Sequence, residues 1–183
     1  MTRCVRYSIS MRSPVERLQA FAPVASPGAR LLILGSMPGA ASLDAQQYYA
    51  HPRNAFWPIM GDLLGFDPAL PYAMRLTALQ SAGVALWDVL AACRRVGSLD
   101  AAIEADSVEA NDFAGFLAGQ PAIARIAFNG TAAETLFRRH VLPQLDARGR
   151  QIERIKLPST SPAHAGLRCE EKLATWRRLI APG

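Results

Sequence analysis

The sequence predicts an α/β fold built on a central, mainly parallel four-stranded sheet. Short apolar runs recur at Leu31–Leu34, Val84–Leu90, Ile123–Phe128 and Arg150–Leu157. Segments with helical spacing of apolar residues lie between them. Each run ends on a turn or a polar residue. Such runs read as buried strands, and strands alternating with helices imply βαβ units. Right-handed crossovers bring every strand's carboxyl end to one edge, where open α/β sheets bind ligands. Ser36, Asp88, Asn129 and Ser159 stand at or just past the four ends, so one cleft built from four loops is expected.

In chain order, residues 1–28 form an N-terminal extension, with a short helix expected at Val15–Phe21 before Pro23, Pro27 and Gly28. The first strand runs straight into Gly35-Ser36-Met37-Pro38-Gly39, a forced tight loop. Between Gln46 and Asn54, seven of nine residues are polar or aromatic: Gln46, Gln47, Tyr48, Tyr49, His51, Arg53 and Asn54. Aromatic faces, amide and imidazole hydrogen bonds and a fixed charge suit a planar polar ligand attached to a phosphate. Helices follow at Phe56–Leu64, with Pro58 in its first turn, and at Tyr72–Ala82, ended by Gly83. Asp88 is a carboxylate inside an apolar run. Ala91–Asp100 reads as a loop carrying Arg94 and Arg95, and Ser98–Ile103 as a helical turn. Glu109–Leu117 reads as a helix. Asn129-Gly130-Thr131 is a turn and cap before a helix at Ala132–His140. A second special loop spans Pro158–Gly166, and Leu167–Ile180 closes the chain as an amphipathic helix.

The 183 residues fit a single domain, 1–183, with an ordinary core. No apolar run approaches the roughly 20 residues that span a bilayer. The basic start lacks the apolar stretch of a secretory signal. A cytoplasmic protein without a membrane partner is expected. Cys4, Cys93 and Cys169 lack metal-ligand spacing, so three reduced, mostly buried thiols, no metal and no cofactor are expected. A net charge of +5 tolerates a polyanionic partner without requiring one.

Phosphate-loop, dinucleotide-fingerprint and nucleophile-elbow motifs are all missing. Ser159-Thr160-Ser161, flanked by prolines and preceding the last helix, suits phosphate contact; as a bare sequence it also suits a helix cap. Together the motifs GSMPG, QQYYAHPRNAFW, ALWDVL, GSLD, FNG and LPSTSPA resemble, in order, the uracil-DNA glycosylase superfamily, and within it the hypoxanthine (deoxyinosine) branch. The likeness runs from about Ala29 to the last helix.

The resemblance implies a three-layer α/β/α fold. It implies a monofunctional glycosylase that flips a deaminated base, hypoxanthine first and uracil second, out of DNA and hydrolyses its N-glycosidic bond; a monomer is expected. Asn54, in the HPxN element, becomes the catalytic candidate, holding water or base; its plain alternative is a helix cap. Tyr49 would stack on the base. Ser36 and Met37 would offer backbone donors. Asp88 and Asn129 would read the base, with a buried structural acid and a simple turn as their alternatives. His51, Ser159, Thr160, Ser161 and His164 would grip the DNA backbone. Two positions depart from the pattern: Met37 and Leu157 replace the usual polar side chains of the first and second motifs. That departure sustains a second reading, a binding module that kept the fold and lost the chemistry. With no lysine in the cleft motifs, a Schiff-base lyase step is not expected.

Overall fold

A computed structural model of the protein describes residues 16–179. Strands β2 (Leu31–Gly35), β3 (Val84–Asp88), β6 (Arg125–Asn129) and β7 (Glu153–Leu157) form a parallel sheet in the order β3-β2-β6-β7. Their side chains alternate between two cores, as the pleat demands. Leu32, Leu34, Ala85, Trp87, Ile126 and Phe128 face one layer. Ile33, Val84, Leu86, Ala127 and Leu157 face the other. The second layer is helices α2 (Phe56–Leu64), α3 (Tyr72–Ser81) and α7 (Cys169–Trp176), anchored by Phe56, Trp57, Ile59, Leu79 and Trp176. The first layer is α4 (Phe113–Gly119) and α5 (Thr131–Leu136), with Phe113 and Phe137 edge-to-face at 5.4 Å. This is the expected three-layer arrangement.

A second, antiparallel sheet is the main departure. It joins β1 (Arg17–Gln19), β4 (Leu90–Arg94) and β5 (Glu109–Ala110) in the order β1-β4-β5. The helix expected at Val15–Phe21 is therefore not formed: Arg17–Gln19 is a strand, its described neighbours are irregular, and Val15 lies outside the described residues. Only Leu18 of β1 turns inward, and its backbone groups are satisfied by the edge of β4. The apolar run Val84–Leu90 is not one strand. It ends at Asp88, and the chain re-forms as β4 in the other sheet, while Val89 and Leu90 donate to the carbonyls of Gly35 and Ser36 at 2.9 and 3.1 Å. The helix expected at Glu109–Leu117 begins only at Phe113, where Asp112 caps it by accepting the Gly115 N–H at 2.9 Å. Arg150 belongs to a short helix, α6 (Ala147–Gln151), rather than to a strand. Cys93 is buried and Cys169 exposed. Among the described residues no helix is long and apolar enough to cross a membrane.

Candidate active site

The carboxyl ends of β2, β3, β6 and β7 open into one pocket of about 140 Å³. An apolar cavity of roughly 150 Å³ in another protein holds benzene, so the space is on the scale of a small aromatic ring system. Its lining includes Ser36, Met37, Tyr49, His51, Asn54, Asp88, Asn129, Ser159, Thr160 and Ser161. The exposed His164 stands apart, in the adjoining groove. Helix α1 (Ala40–Ala45) starts at the first loop and leaves the small side chains of Ala40 and Ala41 in the wall.

Asn54 lies in the turn before α2. Its Oδ1 accepts the Phe56 N–H at 3.0 Å, an Asx turn leading into the helix, whose N-cap position is Ala55. A second lone pair on Oδ1 and the amide N–H groups remain for a ligand. The neighbouring Ala55 N–H donates to the Thr160 carbonyl at 3.0 Å, tying this turn to the second loop. His51 Nδ1 accepts the Arg53 N–H at 3.1 Å, which leaves Nε2 to carry the proton of a neutral ring.

Tyr49 adopts a left-handed backbone with φ 56°. That costs a bulky residue on the order of 1–3 kcal/mol, a strain typical of ligand sites. Its ring is stacked on Phe56 at 3.9 Å with a 22° tilt. Its hydroxyl is buried without a hydrogen-bond partner, and burial together with the nearby Asp88 raises its pKa.

Asp88 closes the floor. Its carboxyl is buried and Oδ2 has no partner. Gly35 faces it across the β2–β3 pair, and a Cβ on Gly35 would lie 2.4 Å from Oδ1. Burial, reinforced by Asp100 and opposed by Arg95, pushes the carboxyl up to about 7. The folded state thus holds the proton more tightly than the unfolded chain, whose carboxylate titrates near 3.8. Stability tied to Asp88 is present in full below about pH 4 and is lost as pH rises to about 7. Asp88→Asn is expected to raise stability at pH 8 by up to about 4 kcal/mol and to remove that loss, as read from urea midpoints between pH 4 and 8. A variant as pH-sensitive as the parent would contradict this.

Asn129 serves the loop more than the pocket. Its Nδ2 donates to Thr160 Oγ1 and its Oδ1 accepts the Thr160 N–H, both at 2.8 Å. Thr160 is thereby buried and clamped rather than offered to a DNA backbone. The next residue, Gly130, has φ +102° and leaves no room for a Cβ, which would meet Ser159 Cβ at 2.9 Å. Ser159 and Ser161 accept from the N–H groups of Ser161 and Ala163, each at 3.2 Å, and keep their hydroxyl protons for donation. From behind, Lys172 Nζ donates to the His164 carbonyl and Trp176 Nε1 to the Pro158 carbonyl, both at 2.9 Å.

The structure adds residues that sequence reasoning missed. Ser98 and Asp100 also line the pocket. Ser36 Oγ donates to Asp100 Oδ1 at 2.7 Å, and Ser98 Oγ accepts the Ala40 N–H at 2.9 Å. Arg95 is buried behind them, donating to the carbonyls of Pro38 and Gly97 at 2.6 and 3.0 Å. Arg94 is paired with Glu104 and Asp106. The only available signal was the GSLD tetrapeptide after two arginines. Among the described residues no three His, Cys, Asp or Glu side chains gather to hold a metal.

Residues 22–180 match the family model for the uracil DNA glycosylase superfamily. The chain belongs to this superfamily. Within it, a hypoxanthine DNA glycosylase from Methanosarcina barkeri is 39% identical over 113 residues, 61% of this chain and 70% of the relative. One of the same name from Methanosarcina acetivorans is 36% identical over 147 residues, 80% of this chain and 87% of the relative. A solution NMR structure of a Methanosarcina acetivorans protein proposed to be a uracil DNA glycosylase superposes with a TM-score of 0.71 at 32% identity, covering 91% of this chain and all of that one. The superfamily fold accounts for the placing of the pocket, at the carboxyl edge of its parallel sheet.

Proposed function

We propose that this chain is a monofunctional DNA glycosylase that removes hypoxanthine from DNA, acting as a monomer and leaving an abasic site. The observation that carries the reading is the pocket itself. A ring-sized space is walled by a braced tyrosine, an oriented asparagine and a buried acid, beside a loop of hydroxyl donors. The names of the two Methanosarcina relatives support hypoxanthine as the base.

The chemistry needs little from a nucleophile. As the glycosidic bond lengthens, the sugar gains oxocarbenium character and the base gains negative charge. The face of Tyr49 away from Phe56 stacks on the flipped base and holds it against Asp88. Asn54, fixed by its bond to the Phe56 N–H, uses its second lone pair to hold the attacking water below C1′. Backbone N–H groups of Ser36 and Met37 face the base edge. From the pocket lining, His51 Nε2–H and the Ser159 and Ser161 hydroxyls donate to phosphates, and His164 extends that grip along the adjoining groove. Flipping costs a few kcal/mol of unstacking and pairing, which these contacts offset.

One observation favours the second reading, a binding module without catalysis. The Met37 side chain is apolar and buried in the core, so it offers no polar group to activate water. Duplexes carrying one deoxyinosine or one deoxyuridine separate the two. Alkali-dependent strand cleavage at inosine is expected. Tight binding without cleavage of either duplex would install the binding module instead.

A further inference from the structure

We propose that Asp88 is the general acid of the reaction, delivering its carboxyl proton to N7 of the departing purine. The proposal rests on the glycosylase reading above and names how the base leaves. In the step, the Asp88 O–H bond breaks and the proton bonds N7. The N9–C1′ bond breaks with its electron pair retained by the base, which departs as neutral hypoxanthine. Water bonds C1′ through oxygen, and the proton it sheds restores the Asp88 acid through solvent. One water is consumed and nothing is oxidised.

Geometry sets the role. Asp88 lines the pocket from the end of β3, and its buried Oδ2 has no partner in the protein. An orphaned, buried polar atom in a native pocket calls for a ligand partner. Gly35 makes room for this carboxyl, since any larger residue there would collide with Oδ1. The O6–N7 edge of hypoxanthine presents two adjacent acceptors, so the wall beside it must donate. An ionised Asp88 would instead place a negative charge against a base that is becoming negative, in a site of low dielectric. The acid form removes that opposition and neutralises the leaving group. Elevation of the carboxyl to about 7 keeps a large share of the acid form available at neutral pH.

The charged and titratable groups around Asp88 come from several elements. Tyr48 and Tyr49 approach from the aromatic loop, and Tyr72 from α3. Asp100 and Arg95 approach from the segment after β4. His51 is the pocket's imidazole.

Single-turnover release of hypoxanthine from an inosine duplex, followed from pH 5.5 to 9 for the parent and Asp88→Asn, decides the matter. The parent rate is expected to be level below pH 7 and to fall about tenfold per unit above it. Asp88→Asn is expected to be at least about 100-fold slower at pH 6 and to lose the falling limb, while still binding a duplex with an abasic-site analogue. A parent rate that climbs through pH 7 would mean Asp88 works as a carboxylate, and would overturn the proposal. A falling limb that survives in Asp88→Asn would assign it to another group and overturn the proposal equally. The parent profile stands as a test even if the variant does not fold. Absence of base release from the parent at every pH would remove the glycosylase reading itself, a failure distinct from a wrong profile.

Discussion

Asn54→Ala is expected to lower hypoxanthine release by about 10²–10³-fold, the usual cost of deleting one preorganised polar group from a transition state. The side chain has two jobs on one amide. Its oxygen bonds the Phe56 N–H at 3.0 Å, which fixes the group before any substrate arrives. In the proposed reaction the remaining lone pair and N–H groups meet water and base. Loss of that one hydrogen bond costs about 1 kcal/mol, too little to unfold the domain, so the rate loss can be read as chemistry. Asn54→Asp keeps the oxygen that bonds the Phe56 N–H and an acceptor for water but loses the amide donors. It is expected to fall between parent and Asn54→Ala. Single-turnover rates on an inosine duplex, beside thermal melts, check both. An Asn54→Ala rate within a few-fold of the parent would mean that another group holds the water.

Gly35→Ala is expected to damage stability and activity together. The backbone is not the obstacle, since Gly35 is not among the positive-φ glycines. The obstacle is Asp88, whose Oδ1 would lie 2.4 Å from the new methyl. Overpacking of this kind costs roughly 1–3 kcal/mol, or a fall in Tm of about 2–4 °C for each kcal/mol in a chain of this size. The displaced carboxyl also leaves its place in the pocket, so release of base is expected to fall at least about tenfold. In an Asp88→Ala background the collision disappears, and Gly35→Ala is expected to cost much less. The coupling in this double-mutant cycle is expected to exceed about 1 kcal/mol. Strictly additive melts would contradict the contact.

The pocket was legible because its parts are local. Leu31–Leu34 is a hydrophobic run stopped by two glycines and a proline, and such a stretch has few folds open to it. Asp88 and Asn129 announced themselves as polar ends of apolar runs. The second sheet was hidden for the opposite reason. Its strands are three, five and two residues long, and Leu90–Arg94 reads LAACR, with little β preference. Phe113, Phe116 and Leu117 imposed a helical rhythm that drew Glu109 and Ala110 into α4 on paper. The run through Val89 and Leu90 concealed a change of sheet, because both neighbouring segments are buried and equally apolar. Arg95 and Asp100 had no signal as a pair. A charged loop reads as solvated, and only tertiary packing turns Arg95 into a buried brace for the first loop. Asn129 was seen as polar and near the base, but its bidentate bond to Thr160 depends on a residue 31 positions away.

The most direct test of the account is release of base from an inosine duplex in water enriched in ¹⁸O, with the products weighed by mass spectrometry. Free, unlabelled hypoxanthine, one ¹⁸O in the abasic sugar and a strand that stays intact until alkali is added are the expected products. No released base, or strand scission without alkali, would contradict it.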